Sequence, residues 1–280
     1  MSYADKVFKE TCIDIIENGY SSEGFEVRPK WEDGTPAHTI KQFGVVHKYD
    51  LRQEFPVLTL RNVYLKSAMD EILWIYQKKS NNIKNLNSKV WNQWADEKGT
   101  IGTVYGYQIG EPFRHNGEWI DQIDLVRKQL KETPFSRRIM TNIYQFHNLD
   151  TGHLDPCAYS MTYNVTVEDG QMVLNAILNQ RSQDMLAANG WNVAQYAILL
   201  MMLAQETGMI AGKLIHVIAD CHIYDRHIPM IKELLDREEY DAPIVKLNPE
   251  ITDFYKFTTD DLIIENYKYG PQIENIPIAV

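Results

Sequence analysis

The chain has 280 residues, 44% hydrophobic and 24% charged, which is ordinary for a soluble globular protein that can bury a large core. Its formal net charge of −10 excludes broad, non-specific nucleic-acid binding, which needs a basic face, although a few local arginines could hold a small anion. The three cysteines, Cys12, Cys157 and Cys221, are an odd and widely spaced set, so a disulfide framework is not expected.

The first half of the chain is predicted to be mostly helical. Apolar pairs at 3/4, 7/8 and 15/16 predict a helix that ends at Gly19, and HTIKQFGVVHKYDL at 38–51 is typical of a strand. LKSAMDEILWIYQKK at 65–79 has an apolar helical face. Two more helices are predicted, one carrying Ile83, Leu86, Val90 and Trp94, and one at 120–134 that ends at Pro134.

The second half is richer in strands. We predict strands at 138–146, from Cys157 onward, at 171–182 and at 214–219, with a hairpin turn at 168–170. WNVAQYAILLMMLAQETG at 191–208 is apolar on nearly every side, which is typical of a buried central helix, and a further helix is predicted at 227–238. The terminal PQIENIPIAV is apolar without a helical period.

No repeat or linker divides the chain, so residues 1–280 are predicted to form a single α+β domain. The N-terminus lacks the apolar core of a signal peptide, and the longest apolar run, at 197–204, is too short to span a bilayer. We therefore expect a reduced, cytoplasmic protein that binds neither membranes nor DNA.

Cys157 stands at the start of a predicted strand in which Tyr159, Met161, Tyr163, Val165 and Val167 alternate with polar residues. A free cysteine is usually a small buried hydrophobe, which is the interpretation that suits Cys12. Cys157 is different because arginines lie in the same strand-rich region, and positive charge favours the nucleophilic thiolate by lowering the pKa.

Four residues of this region could bind a phosphate: Arg137 and Arg138, which are adjacent, and Arg181 and Ser182, which close the third strand. Guanidinium groups match phosphate oxygens bidentately, and a hydroxyl adds a donor. Neighbouring residues of a strand point to opposite faces, so the first pair would not normally grip one ion together. For any one of these arginines taken alone, a surface ion pair is the better interpretation.

Glu71 lies at the edge of an apolar helical stripe, where desolvation could raise its pKa; a surface glutamate is the simpler hypothesis. Trp91 and Trp94 are expected in the core or lining a pocket. GTIGTVYG at 99–106 lacks the lysine and spacing of a phosphate-binding loop. No metal motif is matched by the spacing of the remaining candidates, which are His216, Asp220, Cys221, His222 and His227.

Nine stretches together resemble the folate-dependent thymidylate synthase family, which uses a cysteine nucleophile: DEILW, VWNQWADEKG, TVYGYQ, SRRI, DPCA, NQRSQD, WNVAQY, DCHIYDRH and PIAV. They occur in the family's order and span almost the whole chain, as in a divergent bacterial or phage-type member. The resemblance implies a mixed sheet packed against a buried central helix, with the sheet forming the interface of a homodimer. It also implies the conversion of dUMP to dTMP with 5,10-methylenetetrahydrofolate as cosubstrate, releasing dihydrofolate, and no metal.

The resemblance also implies residue roles. Cys157 matches the nucleophile that adds to carbon six of uracil, Glu71 the glutamate that organises proton transfer, and Tyr105 the tyrosine that helps to remove the carbon-five proton. The implied dUMP ligands are Arg181 and Ser182 of one subunit, Arg137 and Arg138 donated by the other subunit, Asn192 at the uracil edge, and His222 and Tyr224 at the sugar. The implied folate-binding residues are Asp184, Trp91, Trp94 and the C-terminal Val280, whose segment would close over both ligands.

Three positions depart from the family pattern. Ala158 follows the nucleophile where the family commonly has histidine; we expect activity to persist with an altered pH dependence. The family has an arginine in an early phosphate-binding loop, and this chain offers only Lys30 or Arg28 in its place. Arg61 stands where the family has a lysine that is expected to bind the folate tail. Asn192 disfavours a deoxycytidylate hydroxymethylase. The retained site residues disfavour the other alternative, a catalytically silent homologue that binds nucleotide, folate or its own messenger RNA.

Overall fold

The structure is a computed structural model that describes residues 2–279. A six-stranded mixed sheet forms the centre of the fold. The strands are β1 (Tyr20–Ser21), β2 (Thr39–Asp50), β3 (Phe113–His115), β4 (Glu118–Ile120), β5 (Met140–Asn142), β6 (Ala158–Glu168), β7 (Gln171–Asp184), β8 (Ile210–Tyr224), β9 (Ile244–Leu247) and β10 (Leu262–Glu265). The central sheet has the order β1-β2-β8-β7-β6-β5, and β3–β4 and β9–β10 form separate two-stranded ribbons. Among these described strands, only β7 and β8 are parallel neighbours, and the other pairs are antiparallel.

Within residues 2–279, six α-helices accompany the sheet: α1 (Tyr3–Asn18), α2 (Leu65–Tyr76), α3 (Gly106–Gly110), α4 (Gln122–Glu132), α5 (Asn189–Glu206) and α6 (Ile228–Asp236). The predicted helices and strands at α1, β2, α2, α4, β7, α5 and α6 are therefore confirmed, each within a few residues. α5 crosses between the parallel strands β7 and β8 and packs against α2, so it is buried at the centre as its all-round apolar sequence predicts. One hydrophobic core joins residues from Ala4 to Ile273.

The hairpin between β6 and β7 turns at Asp169 and Gly170, with φ angles of 49° and 77°. Two consecutive positive φ values are what a two-residue hairpin turn needs, and aspartate followed by glycine meets that requirement. The predicted turn at 168–170 is confirmed. Val167, beside the turn, is 57% exposed, so the predicted buried face of β6 ends at Val165.

The prediction of a helix that carries Ile83, Leu86, Val90 and Trp94 is wrong. The segment contains only two short 3₁₀ turns, Ile83–Asn85 and Asn92–Trp94. The Asn82 side chain accepts a hydrogen bond from the Lys84 amide at 3.0 Å. Asparagine and serine side chains that bond the nearby backbone compete with helical hydrogen bonding, and this stretch is rich in both.

The strand predicted at 138–146 is reduced to three residues in β5. The Gln122 side chain takes both backbone groups of Asn142, accepting from its N–H at 2.7 Å and donating to its carbonyl at 2.9 Å. β5 is the edge strand of the sheet, and Gln122 bonds Asn142 on the side away from β6. Pairing with β6 continues to the Ile143 amide, which donates to the Tyr159 carbonyl at 2.8 Å, and the chain then turns into a 3₁₀ helix at Phe146–Thr151. In contrast, the strand predicted at 214–219 extends in both directions to form β8.

Candidate active site

Cys157 lies immediately before β6, beside a β-bulge between Ala158 and Ser160. Its backbone is held from two sides, because its amide donates to the Tyr105 hydroxyl oxygen at 3.3 Å and its carbonyl accepts from the Arg181 amide at 2.9 Å. A bulge breaks the regular ladder and redirects the side chains next to it. The thiol is therefore carried by a locally irregular but firmly bonded strand end.

Arg181 organises the loop that precedes Cys157. Its guanidinium donates to the carbonyls of Pro156 at 3.0 Å and Asp155 at 2.7 Å, and Nη2 lies 3.8 Å from the Cys157 Sγ. Burial raises the pKa of the Cys157 thiol above its ordinary value, and Arg181 opposes that increase without overcoming it. The expected lowering of the thiol pKa by arginine is therefore outweighed by desolvation, and the thiol is mainly protonated at neutral pH.

Tyr105 bridges Cys157 to a group of tryptophans. It is buried, adopts a φ of 51°, and its ring centroid lies 4.7 Å from that of Trp91. Positive φ is unusual for a residue with a side chain and is often found at functional sites. Trp91 in turn packs 5.4 Å from Trp94, so both tryptophans border the Tyr105 side of the site.

Glu71 is buried at 4% exposure on α2, so the hypothesis of a surface glutamate is wrong. Its Oε2 accepts a hydrogen bond from the Trp191 indole at 2.9 Å. Burial raises the pKa of Glu71, while polar contacts with Gln195, Trp191 and Trp91 oppose the increase. A carboxyl group with a raised pKa can exchange protons near neutral pH, and Glu71 lies close enough to Tyr105 to influence its pKa as well.

Asn192, in the first turn of α5, has an amide held between two buried glutamines. Gln180 Nε2 donates to Asn192 Oδ1 at 3.2 Å, and Asn192 Nδ2 donates to Gln195 Oε1 at 3.2 Å. Gln180 is also the cross-strand partner of Ala158. The asparagine amide is thereby connected to the strand that begins beside Cys157.

The carboxyl ends of the parallel strands β7 and β8 bring four of the predicted residues together. Ser182 pairs with Asp220, and Asp184 pairs with His222. His222 Nδ1 lies 2.9 Å from Asp220 Oδ1, and its ring packs 5.0 Å from that of Tyr224. Ligand sites commonly form where parallel strands end in this way.

Asp184 is connected to the C-terminal segment through His227. The Asp184 carboxylate lies 3.5 Å from His227 Nδ1, and His227 Nε2 donates to the Pro277 carbonyl at 2.8 Å. Burial by itself would raise the pKa of Asp184, but hydrogen bonding and charge from His227 hold it below its ordinary value. The predicted folate residue Val280 lies outside the described residues.

Arg137 and Arg138 are exposed, just before β5, and are not brought to the Cys157 site by any bond. Within residues 2–279 neither side chain has a hydrogen-bond or ion-pair partner. Among the same residues, no group of three or more His, Cys, Asp or Glu side chains is arranged to hold a metal ion. In the part of the chain that the structure describes, no helix is long and apolar enough to cross a membrane.

Comparisons with known proteins agree with this geometry. The thymidylate synthase family model matches residues 6–280. The chain belongs to the thymidylate synthase family. It is 43% identical to thymidylate synthases of Bacillus subtilis subsp. natto and of Bacillus phage phi3T, each over 98% of both chains. It also matches the solved structure of thermostable thymidylate synthase A from Bacillus subtilis, with 42% identity, a TM-score of 0.91 and full coverage of both chains.

Membership of the thymidylate synthase family makes the protein a methyltransferase and confirms the α+β fold expected from the nine motifs. The departures from the family pattern have structural settings. Ala158 is buried at 3% exposure beside Cys157. Arg28 lies near enough to Tyr224 to lower its pKa, although burial raises that pKa to about 12. Arg61 is partly buried, and its guanidinium donates to the Leu186 carbonyl.

Sequence reasoning missed several residues that support this thymidylate synthase site. Trp191, the partner of Glu71, lies in the WNVAQY motif, but nothing in a linear pattern pairs positions 120 residues apart. Gln180 precedes Arg181 in NQRSQD and was hidden among more conspicuous charged neighbours. His227 was considered only as a metal ligand, whereas it connects Asp184 to the C-terminal segment.

Proposed function

We propose that the protein reductively methylates dUMP to dTMP, with 5,10-methylenetetrahydrofolate as cosubstrate and dihydrofolate as second product. The observation that carries the proposal is the setting of Cys157, with Arg181 Nη2 at 3.8 Å from its sulfur and the Tyr105 hydroxyl at its amide. A nucleophile, a cation and two proton-exchanging groups, Tyr105 and Glu71, then share one site. Family membership supports this reaction over the others that such a site could catalyse.

Cys157 would act by adding its sulfur to carbon six of the uracil ring, which makes carbon five nucleophilic. Burial favours the protonated thiol before substrate arrives, so a proton must leave as the bond forms, and the nearby Arg181 stabilises the developing thiolate. Tyr105 would assist removal of the carbon-five proton. Glu71, whose pKa burial raises, would organise proton transfer at the uracil carbonyl.

Asn192 would read the edge of the base. In the orientation held by Gln180 and Gln195, its Oδ1 can accept from the N3–H of uracil and its Nδ2 can donate to the O4 carbonyl. Cytosine presents the opposite pattern at these two positions, so the same orientation disfavours dCMP. His222 and Tyr224, whose rings pack together at the end of β8, would contact the sugar.

The phosphate would be held by Arg181 and Ser182 together with the partner's Arg137 and Arg138. Both members of the latter pair are exposed and unpaired within residues 2–279, as expected of residues that act outside their own subunit. The solvent-facing side of the sheet carries apolar residues, including Phe43 at 89% exposure and Val46 at 47%, which supports association of two copies through this face. Arg28 lies near enough to Tyr224 to lower its pKa, which supports Arg28 as the substitute for the early-loop arginine.

The folate would bind beside Asp184, Trp91 and Trp94, with Val280 closing the site, and when bound it would supply the methylene group and the hydride. The residues fit this ligand, because a carboxylate can accept from pterin N–H groups and indole rings can pack against a flat heterocycle. Arg61 would contribute charge toward the folate tail. The three cysteines are all free, which supports a reducing, cytoplasmic location.

The first test is a spectrophotometric assay for dihydrofolate with methylenetetrahydrofolate and either dUMP or dCMP. Dihydrofolate should form with dUMP alone, and Cys157→Ala should abolish its formation. Product with dCMP, or none with dUMP from a folded dimer, would refute the proposed specificity or reaction.

A subunit-mixing assay tests the shared site. Cys157→Ala and Arg138→Ala homodimers should each have little activity. A mixed dimer should regain about half of the wild-type activity, since one of its two sites then combines an intact Cys157 with the partner's Arg138. Mixed dimers as inactive as their parents would mean that the site is not shared.

A further inference from the structure

A pair of buried histidines, His47 and His216, lies on the core side of the sheet and has no role in the site described so far. They are cross-strand partners on β2 and β8, and their ring centroids are 6.0 Å apart. His216 is fully buried and His47 is 5% exposed. In the part of the chain that the structure describes, the Nδ1 atoms of both rings have no hydrogen-bond partner. Two imidazoles in such a position are costly, because apolar side chains would fill the same space without unpaired nitrogen atoms.

The partners of the two rings determine which nitrogen carries the proton. The Thr11 hydroxyl donates to the Val7 carbonyl at 2.7 Å, so its oxygen accepts from His47 Nε2, which lies 2.9 Å away. His216 Nε2 lies 2.8 Å from the Gln180 Oε1 acceptor. Burial lowers the pKa of His47 to about 4 and that of His216 to about 3, so both rings are neutral at pH 7. Each is therefore the Nε2–H tautomer.

His216 thereby determines the orientation of the Gln180 amide. When Gln180 Oε1 accepts from His216, the two N–H groups of Gln180 point the other way, to the Ser182 carbonyl at 2.9 Å and to Asn192 Oδ1 at 3.2 Å. Asn192 must then present its oxygen to Gln180 and its Nδ2 to Gln195. A rotated Gln180 amide would set two oxygens against each other at Ser182 and remove the donor from Asn192.

We propose that His216 is a positioning residue for base recognition: through Gln180 it fixes the Asn192 amide in the orientation that accepts uracil and rejects cytosine. This inference rests on the proposed function, since it assumes that Asn192 reads the base. His216 touches no substrate and acts only through the two amides. Because the Ser182 carbonyl favours the same orientation of Gln180, removal of His216 weakens the selection rather than abolishing it.

The test compares the dissociation constants for dUMP and dCMP, measured by titration calorimetry, in the wild type and three full-length variants. His216→Leu removes the donor, and His216→Gln retains one at a similar reach. His47→Leu is the matched control, because it removes the other histidine of the pair, which makes no hydrogen bond to Gln180.

In His216→Leu the ratio of the dCMP to the dUMP dissociation constant should fall about tenfold, since a buried acceptor loses its partner and Asn192 is released to rotate. His216→Gln and His47→Leu should stay within about threefold of the wild type. Steady-state assays should show the loss mainly as an increase in KM for dUMP. Equal ratios in both leucine variants would overturn the proposal and leave His216 a packing role.

If His216→Leu does not fold, nitrogen-15 NMR of the wild-type histidines provides an independent test. His216 should show a hydrogen-bonded Nε2 proton and an unprotonated Nδ1, and its proton signal should move when dUMP binds, while the signal of His47 should not. A proton on Nδ1 of His216, or a signal indifferent to dUMP, would refute the inference. Failure of the wild type to bind dUMP would instead refute the proposed function, whatever the tautomer.

Discussion

Mild acid should destabilise this protein through two of its buried histidines, His47 and His216. His47 and His216 are neutral in the folded chain and have unpaired Nδ1 atoms, so a proton added there would have no partner. On unfolding, both rings reach water and regain an ordinary affinity for protons. Lowering the pH from 7 to 5 therefore favours the unfolded chain.

The size of the effect follows from the pKa values. An unfolded histidine titrates near 6.5, whereas burial lowers the pKa of His47 to about 4 and that of His216 to about 3. Because the folded values are lower, the stabilisation is present above pH 6.5 and is lost as the pH falls toward 3. At pH 5 the unfolded rings are almost fully protonated and the folded ones almost neutral. Each ring then costs about 2 kcal/mol relative to pH 7, or roughly 4 kcal/mol for the pair in each subunit.

The assay is urea unfolding at several pH values between 7 and 5, at constant protein concentration, in the wild type and the double variant His47→Gln/His216→Gln. Near pH 5 the wild type should take up about two more protons per chain on unfolding than the variant does. His227 works in the opposite direction, because Asp184 raises its pKa despite burial, but it is present in both proteins and cancels in the comparison. Identical pH dependence in the two proteins would refute the assignment of neutral, buried rings.

Three further results are expected. Trp191→Phe removes a hydrogen bond from buried Glu71 and should raise the pKa of Glu71 further. We expect kcat to fall about tenfold and the acidic limb of the pH–rate profile to move to higher pH. An unchanged profile would contradict the role of Glu71 in proton transfer. Alkylation of Cys157 by iodoacetamide should be slow at pH 7, accelerate toward pH 9, and slow further in Arg181→Gln, whereas a rate independent of pH would mean that the thiol is already ionised. Leu199→Ala, in the buried α5, should lower the free energy of unfolding by about 3 kcal/mol in urea titrations, and a loss below about 1 kcal/mol would show that the core closes around the gap.

Local patterns were sufficient wherever neighbouring residues decide the structure. The apolar spacing of α1, the all-round apolar surface of α5 and the Asp169–Gly170 turn each depend on residues within a few positions, and each was predicted correctly. The segment 83–94 was not, although its apolar spacing suggested a helix. There, asparagine and serine side chains bond the nearby backbone, which a hydrophobic period does not register.

The sequence by itself determined the family and the α+β class, and it predicted the candidate site residues, because ordered motifs and short-range periodicity are both linear properties. Only the tertiary structure decided their chemical states. Burial raises the pKa of Glu71, whose carboxylate accepts a hydrogen bond from Trp191 far along the chain, and the Cys157 thiol has a raised pKa because desolvation exceeds the effect of Arg181. Burial and charge depend on distances in space, and folding brings together residues such as His216 and Gln180 whose separation in the sequence carries no sign of their contact.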